Sequence, residues 1–514
     1  MLPAAFFMQK GERFMALIDV SHLTFGYEGS FENVFEDVSF QIDTTWRLGF
    51  TGRNGRGKTT FLRLLTGAYP YRGTITAPAA FDYFPPDLPD ERMTAMQAAR
   101  ALAPGLEDWQ LERETGLLGV QAQALARPMA TLSGGERTKV LLALMFLRAG
   151  SFPLIDEPTN HLDMRARAQV AAYLRRKDGF ILVSHDRAFL DACVDHVLYL
   201  GRTGVEVAAC DFSTFLQNRA QREQYERTQS ERLRREVARL SQAARDTAGW
   251  SDALERTKNS AGDSGYVGHK SAKMMRRAKN AERRRERALE DKKGLLREVE
   301  EAPPLTMHPL AFRQERLAEA LDLCVRYDGR EVTQDVRFTL RRGGRVALQG
   351  PNGCGKTSIL RLIAGEDVPH GGVLRLASGL RVSYVPQDMR FLSGSLADYA
   401  RDCGVDLTLL LTTLRALDFA RELFERDMRG FSAGQKKKVL LARSLCEEAH
   451  LFVWDEPLNY IDLYSRMQLE ALICQRQPAM LFVEHDRAFV DAVATERVTL
   501  QAEVIPSPPG AGSR

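Results

Sequence analysis

The stretch Gly52-Arg-Asn-Gly-Arg-Gly-Lys58-Thr59-Thr60 decides the fold of the first half of the chain. A largely apolar run, residues 46–51, leads into it, and residues 61–65 continue from it with helical spacing. In the order strand, glycine loop, helix, such a loop turns its backbone N–H groups inward on phosphate groups. We therefore predict a P-loop in which Lys58 reaches the β- and γ-phosphates of a nucleotide and Thr59 offers its hydroxyl to Mg²⁺.

A second loop of the same kind follows the apolar run at residues 345–349 and reads Gly350-Pro-Asn-Gly-Cys-Gly-Lys356-Thr357-Ser358. A single glycine turn before a helix can bind nothing, but two such loops, each with matching partners downstream, make that alternative negligible. The two loops predict the nucleotide-binding residues Gly52, Asn54, Gly55, Gly57, Lys58, Thr59, Thr60, Gly350, Asn352, Gly353, Gly355, Lys356, Thr357 and Ser358.

The landmarks of the first half return in the second half at a nearly constant offset of about 300 residues. A period this long is typical of duplicated domains and is far too long for a solenoid. We predict two complete α/β domains at residues 15–215 and 311–505. They are separated by a connector at 216–310 and flanked by an N-terminal appendage at 1–14 and a tail at 506–514.

The composition is that of an ordinary globular protein, with 514 residues, 44% hydrophobic residues and 27% charged residues. No stretch of about 18 apolar residues is free of charge, so we expect no membrane-spanning helix. The seven cysteines are scattered and form no C-x-x-C pair. This argues against a disulfide framework or a zinc site and favours the reducing cytoplasm.

Pairs of carboxylates follow an apolar run in both halves, Asp156-Glu157 and Asp455-Glu456. This is the Walker B arrangement, in which Asp156 and Asp455 hold Mg²⁺ and the two glutamates orient or deprotonate the attacking water. His185 and His485 end a further apolar run in each half and are predicted to contact the γ-phosphate. A lone histidine at such a place is more often structural, and only its duplication favours the catalytic interpretation.

One difference between the halves predicts that the two sites are not equivalent. Gln387, in Tyr384-Val-Pro-Gln-Asp388, is predicted to contact Mg²⁺, whereas its counterpart in the first half is Pro86. Because proline has no side-chain oxygen, we predict that the first site completes its Mg²⁺ shell with water. We therefore expect the two sites to hydrolyse ATP at different rates.

Two further motifs, Thr131-Leu-Ser-Gly-Gly-Glu136 and Gly430-Phe-Ser-Ala-Gly-Gln435, resemble the signatures of ATP-binding cassette (ABC) domains. The resemblance implies two tandem ABC-type P-loop ATPase domains that face each other head to tail in a monomer. Each ATP would then lie between the P-loop of one domain and the signature of the other. It adds to the nucleotide-binding residues Ser432, Gly434 and Gln435 opposite Lys58, and Ser133, Gly134, Gly135 and Glu136 opposite Lys356.

Two tyrosines and one alanine bear on this resemblance. Tyr27 and Tyr327 match the aromatic residue that stacks on adenine in ABC domains, although a core or surface tyrosine is nearly as good an explanation. Ala433 stands where the signature usually has glycine, so that position must tolerate a side chain.

Two fused cassettes without a membrane domain resemble the ABC-F family. The segment Asp156-Glu-Pro-Thr-Asn-His-Leu-Asp163 resembles the extended Walker B sequence of the same family. The variant text Asp455-Glu-Pro-Leu-Asn-Tyr-Ile-Asp462 resembles the Lsa-type antibiotic-resistance branch. This branch implies binding at the ribosomal E site, with the connector reaching P-site tRNA and the peptidyl-transferase centre of 23S rRNA. It also implies release of lincosamides, pleuromutilins and streptogramin A, with ATP hydrolysis driving dissociation.

The excess of basic over acidic residues is concentrated in the connector, which has 22 Lys and Arg against 15 Asp and Glu at residues 216–301. Its helix-forming composition predicts a long α-helical hairpin with a tip loop at about 251–269. A solvated coiled-coil spacer is the alternative, and Trp250 can instead pack between the helices. The candidate RNA-binding residues, aromatic or basic, are Trp250, Tyr266, His269, Lys270, Lys273, Arg276 and Arg277.

Three other functions compete with ribosome protection. A housekeeping ABC-F translation factor would share every motif and lack only the drug role. The ATPase module of a transporter can be a separate chain, but it has no use for a basic connector between fused cassettes. A DNA-maintenance ATPase usually places its coiled coil inside one cassette rather than between two.

Overall fold

The computed structural model describes residues 16–28, 33–148, 150–160, 162–201, 204–226, 304–327 and 330–500, with isolated positions between 228 and 239. The predicted N-terminal appendage, the tip loop, the seven RNA-binding candidates and the predicted tail lie outside these residues. The chain divides into two compact units, residues 1–213 with 302–514, and residues 214–301. In the second unit, residues 214–226 are helical.

The first domain begins with strands and ends with an antiparallel edge pair. Its strands are β1 (Leu17–Phe25), β2 (Phe35–Asp43), β3 (Arg47–Gly52), β4 (Arg72–Thr76), β5 (Ala80–Phe84), β6 (Ser151–Asp156), β7 (Phe180–Val183), β8 (His196–Leu200) and β9 (Val205–Ala208). Its helices are α1 (Lys58–Leu65), α2 (Ala95–Leu102), α3 (Asp108–Leu117), α4 (Ala122–Leu125), α5 (Gly134–Leu147), α6 (Met164–Leu174) and α7 (Arg187–Cys193).

The second domain repeats this order. Its strands are β10 (His308–Pro309), β11 (Arg316–Tyr327), β12 (Arg330–Arg341), β13 (Arg345–Gln349), β14 (His370–Leu376), β15 (Val382–Val385), β16 (Glu448–Ala449), β17 (Leu451–Asp455), β18 (Met480–Val483) and β19 (Glu496–Thr499). Its helices are α8 (Lys356–Ile363), α9 (Leu396–Asp402), α10 (Leu407–Ala416), α11 (Ala433–Cys446), α12 (Leu463–Arg476) and α13 (Arg487–Val493).

Each domain has one large, mainly parallel sheet and one small antiparallel sheet, and in the second domain β10 and β16 pair separately. The large sheets have the strand orders β5-β6-β7-β3-β8-β9 and β15-β17-β18-β13-β19, and the small ones β2-β1-β4 and β12-β11-β14. The central strands of the large sheets are continuous apolar runs, and all four residues of β7 and of β18 are buried. Such runs are typical of parallel strands that are covered on both faces. The predicted pair of tandem α/β domains is confirmed.

This strand order places the predicted motifs together. Strands β3, β6 and β7 are parallel neighbours, and so are β13, β17 and β18. Because the carboxyl ends of parallel strands meet at one edge of a sheet, the P-loop, the paired carboxylates and the histidine of each half lie at the same edge. Among the described residues, no helix combines the length and apolarity that crossing a bilayer requires.

The P-loop rests on the small antiparallel sheet through its last glycine. Gly57 has φ of +97°, and a Cβ built on it would lie 2.4 Å from Cγ1 of Val34. Gly355 repeats this with φ of +84° and a Cβ position 2.5 Å from Cγ2 of Thr333. These glycines are required both by their left-handed conformation and by the close approach.

We expect Gly57→Ala to destabilise the first domain by more than the strain of a left-handed alanine, which is about 1–2 kcal/mol. The added methyl group must also displace Val34. Gly67→Ala is the matched control, because Gly67 has φ of +75° but open space around its Cβ position. Thermal unfolding of both variants tests this expectation, and an equal loss of stability in the two would contradict it.

Candidate nucleotide sites

Each P-loop closes around its own lysine. Nζ of Lys58 donates to the carbonyl oxygens of Gly52 (2.7 Å) and Arg53 (3.1 Å). Nζ of Lys356 donates to those of Gly350 (2.9 Å) and Pro351 (2.8 Å). Burial lowers the pKa of the Lys58 ammonium. The lysines are thus fixed at the mouths of helices α1 and α8, where a phosphate group would meet the helix N-terminus as well.

Site 1 is a cavity of 440 Å³ that contains Lys58 and is lined by both domains. It brings together most of the residues predicted from the two halves. The first domain contributes Tyr27, Asn54, Gly55, Gly57, Lys58, Thr59, Thr60, Asp156, Glu157, Asn160, Val183 and His185, and the second contributes Ser432, Gly434 and Tyr460. Gly52 is not in the lining, and its carbonyl group instead receives the lysine.

Site 2 is the corresponding cavity around Lys356 and has a volume of 710 Å³. The second domain contributes Val332, Asn352, Gly353, Gly355, Lys356, Thr357, Ser358, Gln387, Met389, Lys437, Glu456, Asn459, Tyr460 and His485, and the first contributes Gly134, Asn160, Leu162 and Arg167. Of the predicted residues, Ser133, Gly135, Glu136, Gly350 and Asp455 are not in the lining. The side chain of Tyr327 lies outside the described residues.

The two signature motifs cap long helices. Ser133 and Ser432 are the N-caps of α5 and α11, and each forms a reciprocal capping box with the residue three positions on. Oε2 of Glu136 accepts from N–H of Ser133 (3.0 Å), and Oε1 of Gln435 accepts from N–H of Ser432 (2.8 Å). Glu136 and Gln435 therefore stabilise the N-termini of α5 and α11. These helix N-termini face the two cavities.

A strained turn carries each glutamate that was predicted to be catalytic. Glu157 and Glu456 have φ of +48° and +45°, a left-handed conformation that side chains other than glycine rarely adopt. Each turn is held by a hydrogen bond of 2.9 Å from the glutamate N–H to the last carbonyl group of the neighbouring strand, on Val183 or Val483. Such strain is concentrated at functional sites, where the surrounding structure fixes it.

The histidines face these carboxylates. Nε2 of His185 lies 3.3 Å from Oε1 of Glu157, and Nε2 of His485 lies 3.5 Å from Oε1 of Glu456. Burial, reinforced by the Asp156 carboxylate, raises the pKa of Glu157 to about 8. Burial also opposes ionisation of Glu456, but the His485 imidazole, the Lys437 ammonium and the Gln387 amide together outweigh it and hold the pKa of Glu456 below its ordinary value. The two carboxylates predicted to be catalytic thus lie in electrostatically different surroundings.

The residues predicted to hold Mg²⁺ fit such an ion. Within the described residues, neither carboxylate oxygen of Asp455 has a partner with good hydrogen-bond geometry, although both are buried. Burial raises the pKa of this group to about 6 against the opposing effect of the Thr357 hydroxyl. A buried carboxylate without a donor is what a hard cation satisfies. Thr59 with Asp156, and Thr357 with Asp455 and Gln387, would hold the ion, which neutralises charge on the phosphates when bound.

The Asp156 carboxylate differs from Asp455 in a way the sequence did not reveal. Its Oδ2 accepts from the hydroxyls of Thr59 and Tyr83, each at 2.8 Å. Tyr83 lies three residues before Pro86, which replaces the glutamine of the second half. Site 1 therefore has a phenol hydroxyl on the carboxylate predicted to hold Mg²⁺. Among the described residues, the counterpart Tyr384 forms no such bond to Asp455, and Gln387 lines site 2 instead.

Nine of the described lining residues were missed from the sequence, among them four polar residues beside the predicted sites. Asn160 and Tyr460 each line both cavities. Nδ2 of Asn459 donates to Oε2 of Glu456 (2.6 Å), and Nζ of Lys437 donates to the carbonyl oxygen of Asp455 (2.9 Å). The two asparagines could have been found by aligning the two halves, because Asn160 and Asn459 occupy the same place after the paired carboxylates.

Tyr27 lies at the edge of site 1. Its hydroxyl shares a hydrogen bond of 2.7 Å with Oγ1 of Thr60, and 45% of the residue is exposed. Its ring packs edge-on against Phe25, with the centroids 5.1 Å apart. The ring is therefore held at the cavity mouth with one side open, which suits stacking on a base.

Comparison with known proteins identifies the two domains. The ABC transporter family matches residues 35–160 and 333–459, which include both P-loops, both signatures and both carboxylate pairs. This chain is a tandem ABC ATPase. Each of its two matched regions is an ATP-binding cassette, and together they identify the chain as an ATP hydrolase.

Its relatives include members of the ABC-F family. The chain is 29% identical to the ATP-binding protein Uup of Caulobacter vibrioides, over 93% of this chain and 76% of that protein. It is 27% identical to the ribosome protection protein VmlR of Bacillus subtilis, over 92% of this chain and 85% of that protein.

A solved structure shares the fold of both cassettes. It is an archaeal ribosome recycling factor in complex with an archaeal ribosomal stalk protein, with a TM-score of 0.62 and 19% identity. The match covers 93% of this chain and 89% of that chain. At this identity, the likeness shows the fold alone.

We expect the two cassettes to differ in turnover, with Glu157→Gln retaining more ATPase activity than Glu456→Gln. Each substitution should slow its own site by about 100-fold or more. Site 2, which works alone in Glu157→Gln, keeps a glutamate that accepts from Gln387 (2.9 Å) and Asn459. Oε1 of Glu157, by contrast, has no hydrogen-bond partner among the described residues. Steady-state phosphate release from the purified variants measures this, and equal residual rates would contradict it.

Proposed function

We propose that this protein is a cytoplasmic, ATP-driven clamp that binds the ribosome. The observation that carries the proposal is the lining of site 1, where Ser432 and Gly434 of the second cassette share a cavity with Lys58 of the first. An ATP in this cavity would contact both cassettes at once. Binding of ATP would therefore favour the closed arrangement of the cassettes, and hydrolysis of ATP would allow the cassettes to open.

The hydrolytic step follows from the residues around each γ-phosphate position. In site 1, Glu157 orients a water molecule and accepts its proton while the water oxygen bonds to the γ-phosphorus and ADP leaves. His185 lies beside this carboxylate and would contact the γ-phosphate oxygens. Glu456 and His485 have the same roles in site 2.

Two features support the ribosome as the partner. The chain is similar over most of its length to a protein named for ribosome protection. The connector carries an excess of basic residues, with eleven Lys and Arg against four Asp and Glu at residues 270–293. An excess of this kind suits a phosphate-rich partner, and its binding should weaken as salt increases.

The finer proposal places the protein at the ribosomal E site. There the connector would reach P-site tRNA and the peptidyl-transferase centre of 23S rRNA. Direct contact with a drug is not required, because a connector that changes the conformation of RNA there lowers drug affinity through linkage. Lincosamides, pleuromutilins and streptogramin A are the expected drug classes. A housekeeping translation factor is the second candidate, since the relative Uup is named only for ATP binding.

We expect the double variant Glu157→Gln, Glu456→Gln to remain on ribosomes in the presence of ATP. Without either general base, the nucleotides stay intact and the closed clamp cannot open. Co-sedimentation with ribosomes measures this, with Lys58→Ala, Lys356→Ala as the control that should not close. If the double glutamine variant sediments with ribosomes no better than the wild type, the clamp proposal is wrong.

Expression in a drug-sensitive bacterial host separates resistance from housekeeping. We expect the wild-type protein to raise the inhibitory concentration of lincomycin or tiamulin, and the double lysine variant to have no such effect. Equal susceptibility with and without the wild-type protein would contradict the drug role. If the ribosome trapping persists, that result would favour the housekeeping factor.

A further inference from the structure

The two interfaces between the cassettes are not equivalent, although duplicated sequence builds both. At site 1, Nη1 of Arg466 crosses from the second cassette and donates to the carbonyl oxygen of His185 (3.0 Å). Arg187 of the first cassette forms an ion pair with Glu470 on helix α12 of the second. These contacts close the side of the interface that contains Lys58.

Arg466 also faces the opposite site. The same Nη1 donates to Oδ2 of Asp486 at 3.2 Å, and Asp486 directly follows His485, the histidine of site 2. His485 lies 3.5 Å from the catalytic Glu456, and His185 lies 3.3 Å from the catalytic Glu157. An uninterrupted series of contacts therefore joins the two catalytic glutamates, and Arg466 is its central member.

The corresponding series in the other direction is broken. Arg167 occupies the place of Arg466 in the first cassette, and its Nη1 donates to Oδ2 of Asp186 (2.8 Å). Among the described residues, its hydrogen bonds stay within its own cassette, and the other acceptor is the carbonyl oxygen of Leu162. Arg167 and His485 instead line a common cavity of 530 Å³.

The same side lacks the second contact. The position of Glu470 is occupied by Ala171 in the first cassette, and Arg487, the counterpart of Arg187, pairs with Asp491 of its own helix at 3.6 Å. Ala171 and Arg487 line the 530 Å³ cavity as well. A cross-cassette contact on this side is the weak one from Nε2 of Gln349 to Sδ of Met164, at 3.8 Å.

The chemistry of arginine explains how one side chain can join both sites. Arg466 is buried with 9% of its side chain exposed, and Asp486 is fully buried. Its Nε donates to the carbonyl oxygen of Ile461 (2.8 Å), which leaves Nη1 for His185 and Asp486. A planar guanidinium holds such acceptors in a fixed arrangement, whereas an ammonium group cannot. A displacement of Asp486 is thus passed to the backbone of His185.

We propose that Arg466 is a positioning residue that couples the two ATP sites, and that Arg167 has no such role. The state of nucleotide at site 2, contacted by His485, would set the position of His185 and hence of Glu157. Because coupling free energies are reciprocal, the same arginine would report the occupancy of site 1 to site 2. The coupling depends on one interface of the pair rather than on both.

Two parent variants measure this coupling, and both hydrolyse ATP at site 1 alone. Glu456→Gln keeps nucleotide at site 2, whereas Lys356→Ala removes the lysine that holds its phosphates. The ratio of their turnover numbers reports how strongly site 1 depends on nucleotide at site 2. Adding Arg466→Lys should shift this ratio toward unity by about fivefold. Arg487→Lys, the matched control, changes an arginine that pairs with Asp491 of its own helix and lines neither nucleotide site. It should leave the ratio within about twofold of the parent, as expected for independent positions.

A second pair of variants guards against a folding defect of Arg466→Lys. Asp486→Asn keeps a residue that caps helix α13 but removes the charge that Arg466 contacts, and Asp186→Asn is its counterpart on α7. We expect the ratio to shift in Asp486→Asn alone, with similar thermal unfolding in the two asparagine variants. The proposal is overturned if the parents show no dependence, if the Arg466 and Asp486 variants leave the ratio unchanged, or if the Arg487 and Asp186 variants shift it equally. No ribosome is present in these assays, so their failure is distinct from failure of the proposed function.

Discussion

Parallel strands that end at one edge of a sheet impose the main constraint on this protein. In each cassette, the P-loop, the paired carboxylates and the histidine follow neighbouring strands, and the sheet brings them within contact of one another. The second constraint is that this edge faces the other cassette. The lining of site 1 includes Ser432 and Gly434 from across the interface, so nucleotide chemistry and domain arrangement depend on the same residues.

The sequence predicts the parts of this arrangement that depend on local pattern. The strand, glycine loop and helix at Lys58 and Lys356 lie where the motif places them, and the duplication indicates two domains. The capping roles of Glu136 and Gln435 were missed because the signature motif was interpreted only as a ligand site. In the structure, each of these side chains accepts a hydrogen bond from the backbone N–H of the serine that begins its helix. The hydroxyl of Tyr83 on Asp156 was missed because it depends on the register of β5 against β6, which a single sequence does not reveal.

The departures from symmetry arise from few substitutions. Ala171 stands where the second cassette has Glu470, and Pro86 where it has Gln387. These substitutions change one interface and one predicted Mg²⁺ shell without altering the fold. Both cassettes keep the strained turns of Glu157 and Glu456, with nearly the same φ. The backbone that positions the paired carboxylates is therefore common to the halves, whereas the side chains that join the halves have diverged. A tandem duplication allows this, because each copy can change separately while the chain still pairs with itself.

Asn160 and Tyr460 limit that freedom, since each lies on the wall of both cavities. A replacement at either position alters two binding pockets in a single mutational step. Adaptation of one pocket through these positions therefore disturbs the other, and a compensating change must follow elsewhere in the wall. The two pockets can therefore diverge more easily by substitution of residues that line one cavity only. Asn160 and Tyr460, which line both, are expected to change last.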